Sequence, residues 1–230
     1  LQGRRNENTD KAFKEKSRMY LVQNFNTKDH LFKFESKVGS LSNINYEVSR
    51  WGTQSPEFIE IIDAHYDSYN QAPGMDDNAS GVTGVLEAFR VLHPYASQKT
   101  IRFVLFDLEE NGLIGSNLYV NNQINANDLI DNVINFEMIG YYSEMDNTQD
   151  LPTGFNILFP EAYNQVISNN RRGDFINNIG NANSKSLIQA FATASNSYVS
   201  DLKLINLEVP GNGSIAPDLR RSDHASFWDK

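Results

Sequence analysis

The sequence predicts an α/β fold, a single domain over residues 1–230 with a mixed, mostly parallel central sheet and helices on both faces. Apolar strand-like segments alternate with helical segments, the order that produces a sheet covered on both sides. The 230 residues, 40% of them hydrophobic, are enough for one such domain. Charged residues follow several of the apolar segments, as they do where open α/β sheets bind ligands.

The first element that we expect is a helix from Thr9 or Asp10, either of which is a good N-cap, to about Asn24. A helical period of apolar residues predicts which side of this helix packs against the rest of the protein. Most of that apolar surface is expected from Phe13, Met19, Tyr20 and Val22.

The segments that follow have either the two-residue hydrophobic period of a strand or the longer period of a helix. Residues 31–38 and 44–51 alternate polar and apolar side chains, and the turn residues between them predict a hairpin. Three buried strands are then predicted with helices between them. The strands are residues 58–64, 101–106 and 130–136, and the helices begin at Asn78 or Ser80 and at Gly115.

The remaining third of the chain is less regular. Residues 143–183 are rich in Asn, Gly and Pro and predict long loops around one strand and one helix, with a short apolar run at residues 155–159. Residues 185–194 predict a helix and residues 202–209 a strand.

Composition excludes several classes of function. A net charge of −9 with no basic stripe disfavours nucleic-acid binding, and no apolar run is long enough to span a bilayer. The chain has no cysteine, so a metal would be bound by His, Asp and Glu. We expect a secreted or bacterial periplasmic location rather than a cytoplasmic one. The sequence indicates no oligomeric state.

Acidic residues and one histidine lie where the predicted strands end. His65 ends the first buried strand, the pair Glu109-Glu110 follows the second, and Glu137 follows the third. The carboxyl ends of neighbouring parallel strands meet at one edge of a sheet, so these side chains are expected together. Nitrogen and oxygen ligands in such a cluster suit one or two divalent ions, with zinc first.

Five segments in order resemble the M28 family of co-catalytic zinc aminopeptidases and carboxypeptidases. They are residues 65–68 (HYDS), 73–81 (PGMDDNASG), 106–116 (FDLEENGLIGS), 135–141 (NFEMIGY) and 222–228 (SDHASFW). The resemblance covers nearly the whole chain and implies the zinc-exopeptidase (phosphorylase/hydrolase-like) fold, peptide substrates and two zinc ions.

The resemblance also implies a role for each matching residue. His65 and Glu137 would bind the first zinc and Glu110 the second, with Asp76 bridging the two ions. Asp67 would fix the imidazole of His65, and Glu109 would be the general base. The metal ligands expected are therefore His65, Asp76, Glu110 and Glu137, and the catalytic residues are Glu109 and Asp67.

One ligand of the family pattern has no counterpart. The family's last zinc ligand is a His beyond the Ser-Asp-His segment, and no His follows His224 in this chain. Either the chain is an M28-like domain truncated at its C-terminal end, which we favour, or His224 or solvent completes the second site. By resemblance to the related glutaminyl cyclases, Asp223 would lie near the reacting groups.

Three functions follow from these motifs. The first is a zinc aminopeptidase that hydrolyses N-terminal residues from peptides. The second is a glutaminyl cyclase-like acyltransferase with a single zinc. The third is a non-catalytic binding protein that keeps the peptidase fold. No Gly-x-Ser-x-Gly elbow, His-Glu-x-x-His helix or phosphate-binding glycine loop points to another hydrolase class.

Overall fold

The computed structural model describes residues 3–6, 10–25 and 31–230. The chain divides into two compact units, residues 1–140 with 222–230, and residues 141–221. Thr9, one of the two predicted helix caps, lies outside the described residues. The single domain predicted for residues 1–230 stays a prediction.

The first unit is built on a five-stranded sheet with helices along the chain between its strands. Its elements are α1 (Lys11–Asn24), β1 (Leu31–Val38), β2 (Leu41–Arg50), β3 (Ser55–His65), α2 (Ala79–Leu92), β4 (Lys99–Phe106), α3 (Ile114–Asn122), β5 (Leu129–Asn135) and α7 (His224–Trp228). The strand order is β1-β2-β4-β3-β5. The predicted hairpin is confirmed as β1 and β2, which pair antiparallel.

The centre of the sheet is parallel and determines where charged residues meet. β3 pairs parallel with β4 on one side and with β5 on the other, whereas β2 pairs antiparallel with β4. His65 lies opposite Phe106, and Asp63 lies opposite Asn135. The carboxyl ends of β3, β4 and β5 therefore share one edge, the edge at which open α/β sheets bind ligands.

Alternate residues of the central strands enter two separate cores. Ile62 and Ala64 of β3 pack with α1 and α2, whereas Ile59 and Ile61 pack with α3 and the Phe227 ring. This alternation follows from the two-residue period of a strand and places helices on both faces. The predicted α/β fold class, with a mixed central sheet covered on both faces, is confirmed.

The buried side of α1 differs from the predicted one. The helix begins where expected, with the Asp10 carboxylate accepting the Phe13 N–H at 2.9 Å. However, Met19 is 59% exposed and Tyr20 and Val22 are also exposed. The prediction was wrong because it ranked residues by apolarity alone. The residues that α1 buries are Lys14, Ser17, Arg18 and Leu21, a helical stripe that is mostly polar.

The second unit contains a two-stranded parallel sheet and three helices: α4 (Phe155–Leu158), α5 (Pro160–Ser168), β6 (Phe175–Asn181), α6 (Lys185–Tyr198) and β7 (Lys203–Val209). The apolar run at residues 155–159 forms α4, and the strand of this region lies further on, at β6. In the ranges that the structure describes, no helix is long and apolar enough to cross a membrane.

Candidate metal centre

His65 is the centre of the charged cluster at the carboxyl edge of the sheet. It is the last residue of β3 and is 1% exposed. Its Nε2 lies 3.2 Å from Asp77 Oδ1, 3.2 Å from Glu137 Oε2 and 3.9 Å from Glu109 Oε2. Burial acts to lower the pKa of His65, but hydrogen bonds to the surrounding carboxylates outweigh it and hold the pKa well above its ordinary value.

Glu137 is held in this cluster by two neutral donors. The Ser222 hydroxyl donates to Glu137 Oε2 at 2.7 Å, and the Asn78 amide donates to the same oxygen at 3.4 Å. Asn78 is also the N-cap of α2, since its Oδ1 accepts the Gly81 N–H at 3.0 Å. One buried amide therefore joins the start of a helix to a candidate metal ligand.

Asp77, rather than the predicted Asp76, is the carboxylate that faces His65. Asp76 Oδ1 accepts the Gly140 N–H at 2.8 Å and does not belong to the cluster. Among the described residues, the metal-type group whose ligand atoms lie within 4.8 Å of one another is His65, Asp77 and Glu137. The carboxylate that faces His65 therefore lies one residue after the predicted Asp76.

Asp67 connects the imidazole to the acidic turn after β4. Its Oδ1 lies 3.3 Å from His65 Nδ1 and accepts the Glu109 N–H at 3.1 Å, while Oδ2 accepts the Glu110 N–H at 3.3 Å. Asp67 is completely buried. This single carboxylate therefore orients the ring of His65 and fixes the backbone of both predicted acids.

Glu109 and Glu110 lie in one short helical turn and differ in their surroundings. Burial raises the pKa of Glu109 to about 9, with His65 acting to lower it and the charge of Asp223 adding to the rise. Burial also raises the pKa of Glu110 to about 7, and the charge of Asp77 adds to that effect. Of the two acids, Glu109 is the one with a carboxylate oxygen 3.9 Å from His65 Nε2.

A buried ion cluster supports this turn from behind. Asp107 is completely buried, and its carboxylate binds Lys14 Nζ at 2.6 Å, Arg18 Nη2 at 2.7 Å and the Tyr66 hydroxyl at 2.8 Å. Asp107 Oδ1 also accepts the N–H of Leu108, which has a left-handed backbone with φ of 55°. The charged stripe of α1 therefore fixes the residues that immediately precede Glu109.

Asp223 and His224 are adjacent in the sequence but have different surroundings in the structure. Asp223 is completely buried, and burial raises its pKa well above the ordinary value. Its charge contributes to the raised pKa of Glu109. His224 does not belong to the His65 group, and its ring stands edge-on against Trp228 at 4.5 Å between centroids.

The donor set fits zinc. An imidazole nitrogen and several carboxylate oxygens are ligands that zinc accepts, and Nε2 of His65 faces two carboxylates that could share an ion with it. The buried Glu110 Oε1 has no hydrogen-bond partner among the described residues. A bound cation would satisfy such a buried carboxylate oxygen.

An α/β sheet with one imidazole and several carboxylates at its carboxyl edge is typical of metal-dependent hydrolases. Residues 45–230 match the model of peptidase family M28, and the chain belongs to this family.

Two curated relatives differ in how much of the chain they match. The chain is 31% identical to the uncharacterized protein YfbL of Escherichia coli over 180 residues, which are 73% of this chain and 51% of that protein. It is 43% identical to aminopeptidase YwaD of Bacillus subtilis over 84 residues, which are 36% of this chain and 18% of YwaD. The chain thus spans about half or less of the length of these relatives.

Solved structures show the same fold. The LapA aminopeptidase of Legionella pneumophila superposes with a TM-score of 0.57 at 20% identity, covering 96% of this chain and 51% of LapA. A glutaminyl cyclase from Porphyromonas gingivalis superposes with a TM-score of 0.56 at 18% identity, covering 97% of this chain and 74% of that chain.

Proposed function

We propose that this protein is a zinc-dependent exopeptidase, an aminopeptidase that hydrolyses N-terminal residues from peptides. The observation that carries the proposal is His65 Nε2, which lies 3.2 Å from carboxylate oxygens of Asp77 and Glu137 with Glu109 beside them at 3.9 Å. Membership of a peptidase family supports hydrolysis of peptide bonds. The name of the relative YwaD supports cleavage at the N-terminus.

His65, Asp77 and Glu137 would hold one zinc ion. Glu110 would hold a second ion, because its buried Oε1 has no hydrogen-bond partner among the described residues, and Asp77 would be shared between the two. Bound zinc supplies polarisation of the scissile carbonyl and activation of a water near neutral pH. Asp77 would take the bridging role that the resemblance implied for Asp76.

Glu109 would be the general base. It takes a proton from the attacking water and delivers it to the leaving amine. Burial raises the pKa of this carboxyl to about 9, and bound cations act in the opposite direction because positive charge favours the carboxylate. Asp67 holds the N–H of Glu109 at 3.1 Å and the His65 ring at 3.3 Å, so the base and the imidazole keep a fixed relation.

Acidic side chains around the centre would favour a substrate with a free α-amine. The carboxylates of Asp77 and Glu137 lie at the centre, each 3.2 Å from His65 Nε2, and the chain as a whole carries a net charge of −9. A protonated N-terminus is attracted to such a field, whereas the carboxylate end of a peptide is repelled. This charge pattern supports an aminopeptidase over a carboxypeptidase.

The variant Glu109→Gln tests the proposed base. We expect the rate of hydrolysis of aminoacyl-nitroanilides to fall by at least about 100-fold, because the proton transfer is lost while size is kept. Zinc content, measured by elemental analysis, should be unchanged. Glu87→Gln is the matched control, since Glu87 is exposed and pairs with Arg90 on α2.

Two results would contradict this prediction. One is a Glu109→Gln variant that hydrolyses the same substrates at the parental rate. The other is a zinc-loaded parent chain that hydrolyses no member of a broad aminoacyl-nitroanilide panel.

The pair Asp77→Asn and Asp76→Asn tests which carboxylate holds metal. We expect Asp77→Asn to weaken zinc binding by at least about tenfold, the lower end of what altering a metal's surroundings costs. Asp76→Asn keeps an oxygen that can accept the Gly140 N–H and should leave zinc affinity unchanged. Competition with a chromophoric chelator measures both. A greater loss of zinc affinity in Asp76→Asn than in Asp77→Asn would restore the prediction that Asp76 is the metal ligand.

A glutaminyl cyclase-like acyltransferase with a single zinc is the second candidate. It is favoured by the single group of ligand atoms within 4.8 Å of one another among the described residues. The buried Oε1 of Glu110, which has no hydrogen-bond partner in the described chain, favours a second ion. Two zinc ions per chain with no pyroglutamate formation would exclude the cyclase. One tightly bound zinc with cyclisation of glutaminyl peptides would replace the aminopeptidase.

The third function, a binding protein without catalysis, makes a separate prediction. Such a protein would bind zinc and peptide equally well with Glu109 or Gln at position 109, and neither form would turn over substrate. The hydrolysis assay therefore separates this function from the aminopeptidase, and the assay for pyroglutamate formation separates it from the cyclase.

A further inference from the structure

Arg5 is a completely buried cation that lies next to the metal centre without belonging to it. Its guanidinium donates to three backbone carbonyls: Nε to Tyr66 at 2.7 Å, Nη2 to Gly74 at 2.6 Å, and Nη1 to Gly3 at 3.0 Å. Arg5 lies outside the residues that match the family model, which begin at residue 45. No pattern in the sequence singled it out.

The two longer-range acceptors lie at opposite ends of one loop. Tyr66 directly follows His65, and Gly74 comes three residues before Asp77. Between them the loop turns outward, and Tyr69 is 50% exposed. Arg5 therefore joins the two ends of the loop that connects the imidazole to its facing carboxylate.

The neighbours of Arg5 reinforce this junction. The backbone N–H of Arg5 donates to Ser68 Oγ at 2.8 Å, the Asn6 amide donates to the Ser68 carbonyl at 3.1 Å, and the Gly3 N–H donates to the Pro73 carbonyl at 2.9 Å. Residues 3–6 thus contact both ends of the loop through one bond between backbone groups and two bonds that involve a side chain.

The packing at Gly74 leaves little room for an alternative arrangement. Gly74 has a φ of +66°, and a Cβ there would lie 2.5 Å from Ser68 Cβ and 2.6 Å from Arg5 Nη2. The backbone at Gly74 is therefore pressed directly against the guanidinium, so a movement of Arg5 is transmitted to the loop.

We propose that Arg5 is a positioning residue that fixes the distance between His65 and Asp77 by clamping both ends of the loop between them. This inference rests on the proposed zinc-binding role of those two residues. Arg5 also carries a buried positive charge among the acids of the centre, and the charge of Asp77 acts on it. Lysine can supply the charge but not the planar fork that binds several carbonyls at once.

The test compares zinc affinity in three variants of the chain. Arg5→Lys keeps the charge and loses the fork, Arg5→Met loses both, and Arg4→Met is the matched control because Arg4 is exposed. Affinity is measured by competition with a chromophoric chelator, and folding by urea unfolding. We expect Arg5→Lys to unfold cooperatively and to bind zinc about tenfold more weakly than the parent. Arg4→Met should bind zinc as the parent does.

Parental zinc affinity in folded Arg5→Lys and Arg5→Met would overturn the proposal. Failure of both variants to fold would also overturn it, because Arg5 would then be needed for folding and not for position. If the parent itself binds no zinc, the proposed function fails. The role of Arg5 is then tested in the metal-free chain by the ¹⁵N chemical shifts of the His65 ring, which report the surroundings of the imidazole. They should shift in Arg5→Lys and stay in place in Arg4→Met, and an unshifted Arg5→Lys spectrum would reject the clamp.

Discussion

The helices α1 and α2 have the same length of 14 residues and pack against the same apolar cluster of the sheet, yet they bury opposite kinds of side chain. α2 buries a wholly apolar face that includes Val82, Val85 and Phe89. The buried stripe of α1 includes Lys14 and Arg18. The helical period determines which positions of a helix share one side. Whether apolar or charged residues are stable on that side depends on the part of the protein against which it packs.

For α1, that part of the protein includes Asp107. A completely buried carboxylate needs compensating donors, and Lys14 and Arg18 supply two of them at 2.6 and 2.7 Å. The contact of α2 is stabilised by removal of apolar surface from water, whereas the contact of α1 exchanges hydration of three charges for mutual attraction. The apolar contact of α2 loses only part of its stability when a side chain is shortened. The charged contact of α1 is left with an uncompensated buried charge when one partner is removed.

The largest effect in this comparison is expected for Lys14→Met. Removing one cation from the buried cluster should lower the free energy of unfolding by about 3–5 kcal/mol, because Asp107 is left partly uncompensated. Urea unfolding measures the change. Lys16→Met, on the exposed side of the same helix, is the matched control and should stay near the parent. Equal stability of the two variants would remove the distinction between the helices.

A smaller effect is expected for Val85→Ala on α2. The loss of two buried methyl groups and the small cavity left behind should cost about 2 kcal/mol, measured in the same way. Val91, which is 44% exposed at the end of α2, provides the control Val91→Ala. A cost above that of Lys14→Met would reverse the proposed ranking of the two faces.

The smallest effect is expected for Met19→Gln on α1. Met19 was predicted to pack against the protein but is 59% exposed, so its replacement should change the free energy of unfolding by less than about 0.5 kcal/mol. Thermal unfolding beside the Lys14→Met variant gives the direct contrast. A large loss would mean that the apolar side of α1, and not its charged stripe, is the buried one.

The regular elements and the carboxyl-edge cluster could be predicted from the sequence, because strand and helix periods are local properties. β3, β4 and α2 lie where their patterns indicate, and His65 and Glu137 meet as expected. The side of α1 could not be predicted in this way, because Lys14 and Arg18 are buried only in relation to Asp107, about 90 residues later. A signal did exist: Lys14, Arg18 and Leu21 follow the spacing of one helix face.

The shift from Asp76 to Asp77 has a similar origin. Two adjacent acids in one loop are equivalent in the sequence, whereas in the structure Asp76 accepts the Gly140 N–H and Asp77 faces His65. Arg5 left no signal at all, because a single arginine near the start of a chain is ordinarily exposed. Its partners are backbone carbonyls, which no side-chain pattern reveals.

The amide of Asn78 gives the centre a thermodynamic link to α2. Its Oδ1 caps the helix and also accepts the Met138 N–H at 3.2 Å, while its Nδ2 holds Glu137 and the Phe136 carbonyl. The first turn of α2 and the carboxylate of Glu137 therefore share one side chain as a hydrogen-bond partner. If the capped helix increases the affinity of Glu137 for an ion, the bound ion must stabilise the first turn of α2 against local opening by the same free energy.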